Sequence, residues 1–525
     1  MNPGPPCRKD TWGTTQSVNR KPAVVGDRRK AGLLAHRPSL QNCILEKTLS
    51  RLQAQMGRLA CEYADGRYVE ITRHRIRTKD GAVEDFKESV SRAAGFRVLK
   101  HGTFGFSATS DLSQASLQVH LDQARKMASE FSKIRHAEVK FAPAKPLRKR
   151  WIMPVKKNPW ALSLKEKIST QIEAEKYLKS MKGVDSATGF LDFTRKRIIF
   201  FSKEGSWVEQ LLYRTGGWIF GETWLGSEKI KRSWPGPSGV YRAEGYEAIE
   251  AMRFQSEAAR LGKEIAQLRE SSAAPRGTFD LILKGSILAL QIHETFGHAS
   301  ESDRVYGYED NFGGRTFLNP GLLDGFPVAS PVVNLVSDAG LNPGSGAGSF
   351  AFDDEGVAAK RVDMIRKGIF TGYLTSRETT AFLNQPASSA NMVAQDGLHY
   401  PLIRMTNTNL LPGRGTLKEM IADTENGFLL DNESSWSIDE MRLDFQIGAE
   451  AGYHIKKGKI AGLVRSPFYH GNTLDFWRAC DKVAGKSEWD FWGFADCGKG
   501  GPYQEAFTGH GLSPARFRRV EVGRD

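Results

Sequence analysis

Cysteine is scarce: the chain has five in 525 residues, at Cys7, Cys43, Cys61, Cys480 and Cys497. An odd, sparse set without pairing rhythm argues against a disulfide framework and fits a reducing cytoplasm. Long hydrophobic runs are missing too. The greasiest stretches, such as Ile198–Phe201, are strand-sized, far short of the roughly 20 residues a membrane-spanning helix needs. Basic residues near the N-terminus have no apolar segment behind them, so a secretory signal is not expected. Acidic residues are in deficit, 60 against 74 basic, for a formal net charge of +14. Such a balance points toward nucleic acid. No helix-turn-helix, zinc-finger or RNA-binding signature accompanies it, however. Part of the excess sits in the first 40 residues, where Arg8, Lys9, Arg20, Lys21, Arg28, Arg29, Lys30 and Arg37 face only Asp10 and Asp27. Residues 1–45 read as a disordered basic tail.

What remains is an ordinary globular composition, 40% hydrophobic and 26% charged, in a chain too long for one core. Tyr68–Ile76 and Gly95–Leu99 read as strands joined through the hairpin signal Asp80-Gly81. Leu112–Phe131 carries apolar residues at helical spacing behind a cap at Asp111. Pro143–Pro159 reads as an exposed connection, Leu162–Met181 as a helix, and Gly189–Gly221 as strands again. The two strand blocks look alike: Thr72-Arg73-His74-Arg75-Ile76, Asp80-Gly81, Arg92 and Gly95-Phe96 recur as Thr194-Arg195-Lys196-Arg197-Ile198, Glu204-Gly205, Arg214 and Gly217-Trp218. They suggest a duplicated β-rich unit. Gly245–Glu270 reads as one long amphipathic helix. A break at Ser271–Arg276 divides an N-terminal domain, 46–275, from a C-terminal domain, 276–525. The second opens with a strand at Thr278–Leu283 and a helix from about Ser286, followed by Gly-rich loops including Gly340–Gly348. Strands and helices do not alternate strictly, so the expected class is α+β: a β-rich N-terminal domain, then a mixed C-terminal domain carrying the helix.

That helix holds His293-Glu294-Thr295-Phe296-Gly297-His298. Neutral imidazoles can hold a zinc ion with one position open, and bound zinc lowers the pKa of its water to about 7. A neighbouring carboxylate can then act as base and proton donor. The familiar spacing places two histidines four apart, on one helix face. Here it is five, which a regular α-helix turns through about 140°. Convergence on one ion therefore requires a π-bulge, or a helix ending near Gly297, a residue tolerant of unusual dihedrals. The bland alternative is an amphipathic helix with a partly buried histidine. A third ligand is needed, and Glu301, Asp303, His454, His510 and Cys497 are all candidates. Cys497 lies among glycines, and Lys499 would favour its thiolate.

These strings resemble the TldD/PmbA metallopeptidases, also named modulators of DNA gyrase, and in particular the TldD-type member that carries the metal. The resemblance runs from about residue 60 to the C-terminus. It rests on His293-Glu294-x-x-x-His298, Asp353-Asp354-Glu355-Gly356, Arg404-Met405-Thr406-Asn407-Thr408 and Cys497-Gly498-Lys499, with Lys79-Asp80-Gly81 and Gly95-Phe96-Arg97-Val98 in the first half. It implies zinc on His293, His298 and Cys497, with Glu294 catalytic. It also implies a peptide or unfolded segment as substrate in an enclosed site, a cytoplasmic location, and a dimer, commonly with a metal-free paralogue. The chain departs from the family pattern at Ala299-Ser300-Glu301-Ser302-Asp303, which keeps both acids and loses both glycines, and at Gly501-Pro502.

Glu301 and Asp303 can orient the histidines as hydrogen-bond acceptors, or be ordinary helix-exit acids. Arg404, Thr406 and Asn407 can hold substrate backbone or an oxyanion, or form a strand-to-loop network. Asp353-Asp354-Glu355 can bind a cation or a peptide amino end, or be a solvated turn. His510 reads as a surface-turn histidine, with a transition-state donor as the alternative. The leading function is Glu294-assisted attack of zinc-bound water on a peptide bond. The alternatives are a module regulating gyrase or nucleic acid, and a metal-bearing subunit active only with a paralogue.

Overall fold

A computed structural model describes residues 40–134, 137–311, 313–340 and 346–523. Most of the expected basic tail lies outside the described residues. Residues 40–45 belong instead to a helix, α1 (Leu40–Gly57), whose Leu49, Leu52 and Met56 are buried against the sheet that follows.

β1 (Tyr63–Lys79) and β2 (Ala82–Lys100) form a long antiparallel hairpin. Its connection is Asp80-Gly81, both at positive φ (49° and 80°), the pair a two-residue primed turn demands. β3 (Thr103–Thr109) and α2 (Gln114–Phe131) complete the unit. The cap of α2 is Ser113, whose hydroxyl accepts from the Ser116 N–H, and not Asp111. β4 (Arg148–Ile152), inside the stretch expected to be a plain connection, pairs in parallel with a later strand. The pattern then repeats as α3 (Leu164–Ser180), β5 (Ser186–Ser202), β6 (Trp207–Leu225) and β7 (Glu228–Trp234). The strand lengths of 17, 19 and 7 residues recur in order. β1 and β5 lie side by side, antiparallel, with Arg73 opposite Thr194, so the similar strings meet at the sheet's centre. The sheet order is β3-β2-β1-β5-β6-β4, with β7 and β8 (Val240–Arg242) also on β6.

The long helix expected at 245–270 is two: α4 (Glu247–Ala251) and α5 (Phe254–Glu270). Arg253 at φ 51° breaks the run, since a left-handed residue cannot continue a right-handed helix.

The C-terminal half is built on a nine-stranded sheet. At its heart β9 (Gly277–Leu283) runs parallel to Asn426–Leu430 and antiparallel to Ala515–Val522. α6 (Gly285–Ile292) leaves β9 directly and is buried on every side, as its sequence Gly-Ser-Ile-Leu-Ala-Leu-Gln-Ile requires. A separate ribbon, Asp490–Lys499 with Gln504–Leu512, packs across the end of α6. The halves are joined by buried charge. Arg232 of β7 reaches Glu264, Asp431 and Glu450, and Arg97 of β2 reaches Asp65 and Glu355. Asp353-Asp354-Glu355 is therefore no solvated turn. All three are buried, with Asp353 and Asp354 accepting backbone N–H groups of the 353–357 turn and of residues 392 and 394.

Candidate metal centre

α6 ends at Ile292, and the next residues, His293–Gly297, form a π-turn in which the His298 N–H donates to the His293 carbonyl five residues back. This extra residue cancels the angular offset of the five-residue spacing. The two imidazoles meet edge to face, ring centroids 4.8 Å apart at 89°. Gly297 serves in another way than its dihedral freedom: at φ −58°, ψ −63° it is ordinary helix. A β-carbon there would stand 2.1 Å from the Met405 sulfur, so glycine is needed for close approach.

Both imidazoles are tied down from behind. The His510 Nδ1–H donates to the Thr408 carbonyl (3.1 Å), which leaves Nε2 of His510 to accept from the His293 Nδ1–H (2.9 Å). The Glu301 carboxylate accepts from the His298 Nδ1–H (3.0 Å). In this tautomer chain Nε2 of each histidine keeps its lone pair. Burial holds His293 and His298 below the usual imidazole range, and His510 well below it. The downward shifts favour the neutral imidazole, the form that ligation needs. His510 is thus a fully buried support, not a surface-turn residue. His510→Phe is expected to weaken metal affinity by about 10–100-fold, the usual cost of losing such a partner, as read by competition with a chromogenic chelator.

Cys497 arrives on the ribbon. A β-bulge between Phe494 and Cys497 adds one residue, so these two face the same side despite their odd spacing. Its Sγ lies 3.7 Å from Nε2 of His298. Ligand atoms of His293, His298 and Cys497 all fall within 4.8 Å of one another. Zinc–sulfur and zinc–nitrogen bonds of about 2.3 and 2.0–2.1 Å at a tetrahedral angle put the ligand atoms about 3.3–3.6 Å apart, so the Cys497–His298 pair already matches and small side-chain shifts close the rest of the cluster on an ion. Burial raises the Cys497 thiol, but Arg404 and His298 more than offset this and bring it below its ordinary value. Lys499 is otherwise engaged, bonded to Asp303 (2.8 Å) and close to Glu301 (3.2 Å). Burial alone would also raise Glu301; facing Lys499, His298 and Arg304, it is held well below the carboxylate range.

The cluster opens on a cavity of about 500 Å³ shared with Glu294, Arg442, Phe494 and the strand Glu433–Ile438. One Glu294 oxygen accepts from Arg442 (2.8 Å); the other carries no hydrogen bond among the described residues. Arg442 also donates to the Gly313 carbonyl (2.7 Å), fixing the guanidinium between the two.

Residues 276–524 match the model of the PmbA/TldA metallopeptidase C-terminal domain, and residues 64–128 match domain 1 of the same family. The chain belongs to this family. Its relatives include a metalloprotease of Methanothermobacter thermautotrophicus, 28% identical over 88% of this chain and 95% of its own length. A zinc metalloprotease TldD homolog of Saccharolobus solfataricus is 28% identical over 43% of this chain and 48% of its own. The fold is similar to that of TldE from Thermococcus kodakarensis, with a TM-score of 0.69, 15% identity, and coverage of 91% of this chain and all of that one.

Other residues singled out in the sequence supply no ligand to the His293, His298 and Cys497 cluster. Arg404, Thr406 and Asn407 are buried, and none lines the metal-side cavity. Arg404 donates to the carbonyls of Cys497 and Gln504, Thr406 bonds Ser337, and Asn407 donates to Asp338 and Ser349. Apart from Nε of Arg404, which has no partner among the described residues, their donors are engaged internally, and so they brace the ribbon. His454 stacks on Phe428 far along the main sheet. Asp303 stands behind Glu301 rather than beside the ligands. Sequence reading missed Arg442 and misjudged His510. The latter left one signal: its flanking glycines, where a β-carbon would strike Asn407 at Gly509 and Trp489 at Gly511, mark tight packing rather than a turn.

Proposed function

We propose that this chain is a zinc-dependent peptidase that hydrolyses peptides or unfolded protein segments, with His293, His298 and Cys497 holding one zinc ion and Glu294 as general base. The observation that carries the reading is the convergence of two neutral imidazoles and one activated thiol beside a carboxylate that faces the same cavity. Zinc, when bound, supplies Lewis acidity and lowers the pKa of water at its open position. Glu294 takes the proton of the attacking water and passes it to the leaving amine. Arg442 holds that carboxylate toward the reacting atoms. Glu433–Ile438 is an edge strand of the main sheet and lines the cavity, so an extended peptide can pair with it while its scissile bond reaches the site.

In this reading the chain works in the cytoplasm as a dimer, with itself or with a metal-free paralogue. Among the described residues no helix is long and apolar enough to cross a membrane. The test is cleavage of a mixed peptide library by the purified chain, alone and with a paralogue, read by mass spectrometry. Chelation should abolish turnover and added zinc restore it. Turnover indifferent to chelation would reject the reading.

A further inference from the structure

A second cavity, of about 250 Å³, lies between the N-terminal sheet and the C-terminal half. Phe350, Phe352 and Phe507 give it an apolar side, and Lys196 and Arg214 give it charge. Arg214 is buried, yet among the described residues it meets no carboxylate. Its NH1 donates to the Tyr213 carbonyl (2.8 Å) and its NH2 to that of Ser349, while Nε has no partner. By contrast Arg97, Arg232, Arg304, Arg377 and Arg516, all fully buried, each reach at least one carboxylate; Arg404, also fully buried, has only carbonyl acceptors but lines neither this cavity nor the metal-side one. Lys196 likewise has one acceptor, the Ala394 carbonyl (2.8 Å), and no ion pair among the described residues. Four acids stand in the wall; Asp353, Asp354 and Asp396 are engaged by backbone N–H groups, and Glu505 is the fourth.

An uncompensated buried guanidinium is costly, and the cost is relieved by an anion that reaches its free edge. Burial brings Arg214 down to about 9, in keeping with the missing counter-charge. The matching residue of the first repeat, Arg92, is exposed and paired with Glu70 at 2.6 Å, so the feature belongs to the second unit alone. Met405, Ala495 and Ala506 form part of the wall, and Met405 packs on Gly297, which places the cavity behind the ribbon that carries Cys497.

We propose that this cavity binds a carboxylate bearing an apolar side chain, the chemistry shared by a small amphipathic acid and the C-terminal residue of a peptide. The carboxylate meets Arg214 and Lys196, and the side chain lies among the three phenylalanines.

Calorimetric titration of the full chain with N-acetyl-phenylalanine and with its neutral amide tests this. The acid should bind and the amide bind at least roughly tenfold more weakly. Arg214→Gln should reduce the acid's affinity to that of the amide, while Cys497→Ala should bind the acid as wild type does. No binding, equal binding of acid and amide to wild type, or loss of acid binding in Cys497→Ala would each overturn the site; the last would put the carboxylate on the metal. The wild-type comparison holds whether or not Arg214→Gln folds. A pentapeptide ending in phenylalanine separates the sources: affinity equal to the small acid assigns a peptide terminus, and much weaker affinity assigns a free acid, either result supporting the site.

Discussion

Glu294→Gln is expected to lower the rate of peptide cleavage by about 10²–10⁴-fold, the usual contribution of a general base, and to leave metal content unchanged. The carboxylate lies outside the ligand cluster, so its loss removes no metal bond. The amide keeps its size and can still accept from Arg442, so the cavity wall should hold its shape. What disappears is the capacity to take a proton. Turnover and elemental analysis on the same preparation check both halves of this expectation. Wild-type turnover would remove Glu294 from the mechanism, and loss of the metal would make it a ligand or a folding residue.

The second large effect is expected for Cys497→Ala. It removes the single sulfur and leaves two imidazoles, too few to retain zinc against dialysis. Affinity should fall by more than the roughly 10–100-fold that loss of a hydrogen-bonding support costs, and cleavage should fall to background. The substitution is small, at a position whose β-strand pairing with Ala506 is backbone-made, so the ribbon should persist. A circular-dichroism spectrum like that of wild type, combined with absent metal, is the predicted pair of results. Retained stoichiometric zinc would place the third ligand elsewhere.

How much of this was legible in the sequence differs from element to element. The Asp80-Gly81 hairpin was legible because a two-residue primed turn leaves few choices of residue. The duplication was legible because it repeats residue types in the same order, with small gaps between them. The five-residue histidine spacing excluded a regular helix, and the π-turn supplies the missing geometry. Its cause was misread, since Gly297 yields space to Met405 rather than an unusual backbone. The third ligand was open on spacing alone. Cys497 lies 199 residues from His298, and its approach depends on a bulge that no local pattern announces. Arg442 was invisible for the same reason, 148 residues from Glu294 in an otherwise unremarkable acidic stretch. The Asp353-Asp354-Glu355 run shows the opposite error. Consecutive acids left a cation or amino-end site and a solvated turn equally open, and the turn is the reading that fails, because buried Arg97 and a set of backbone donors draw them inside.

X-ray absorption at the zinc edge of the wild-type chain tests the central claim most directly. The account predicts one sulfur at about 2.3 Å together with nitrogen scatterers at about 2.0–2.1 Å carrying the multiple-scattering signature of imidazole. A shell of oxygen and nitrogen alone, or zinc that dialyses away from the folded protein, would contradict it.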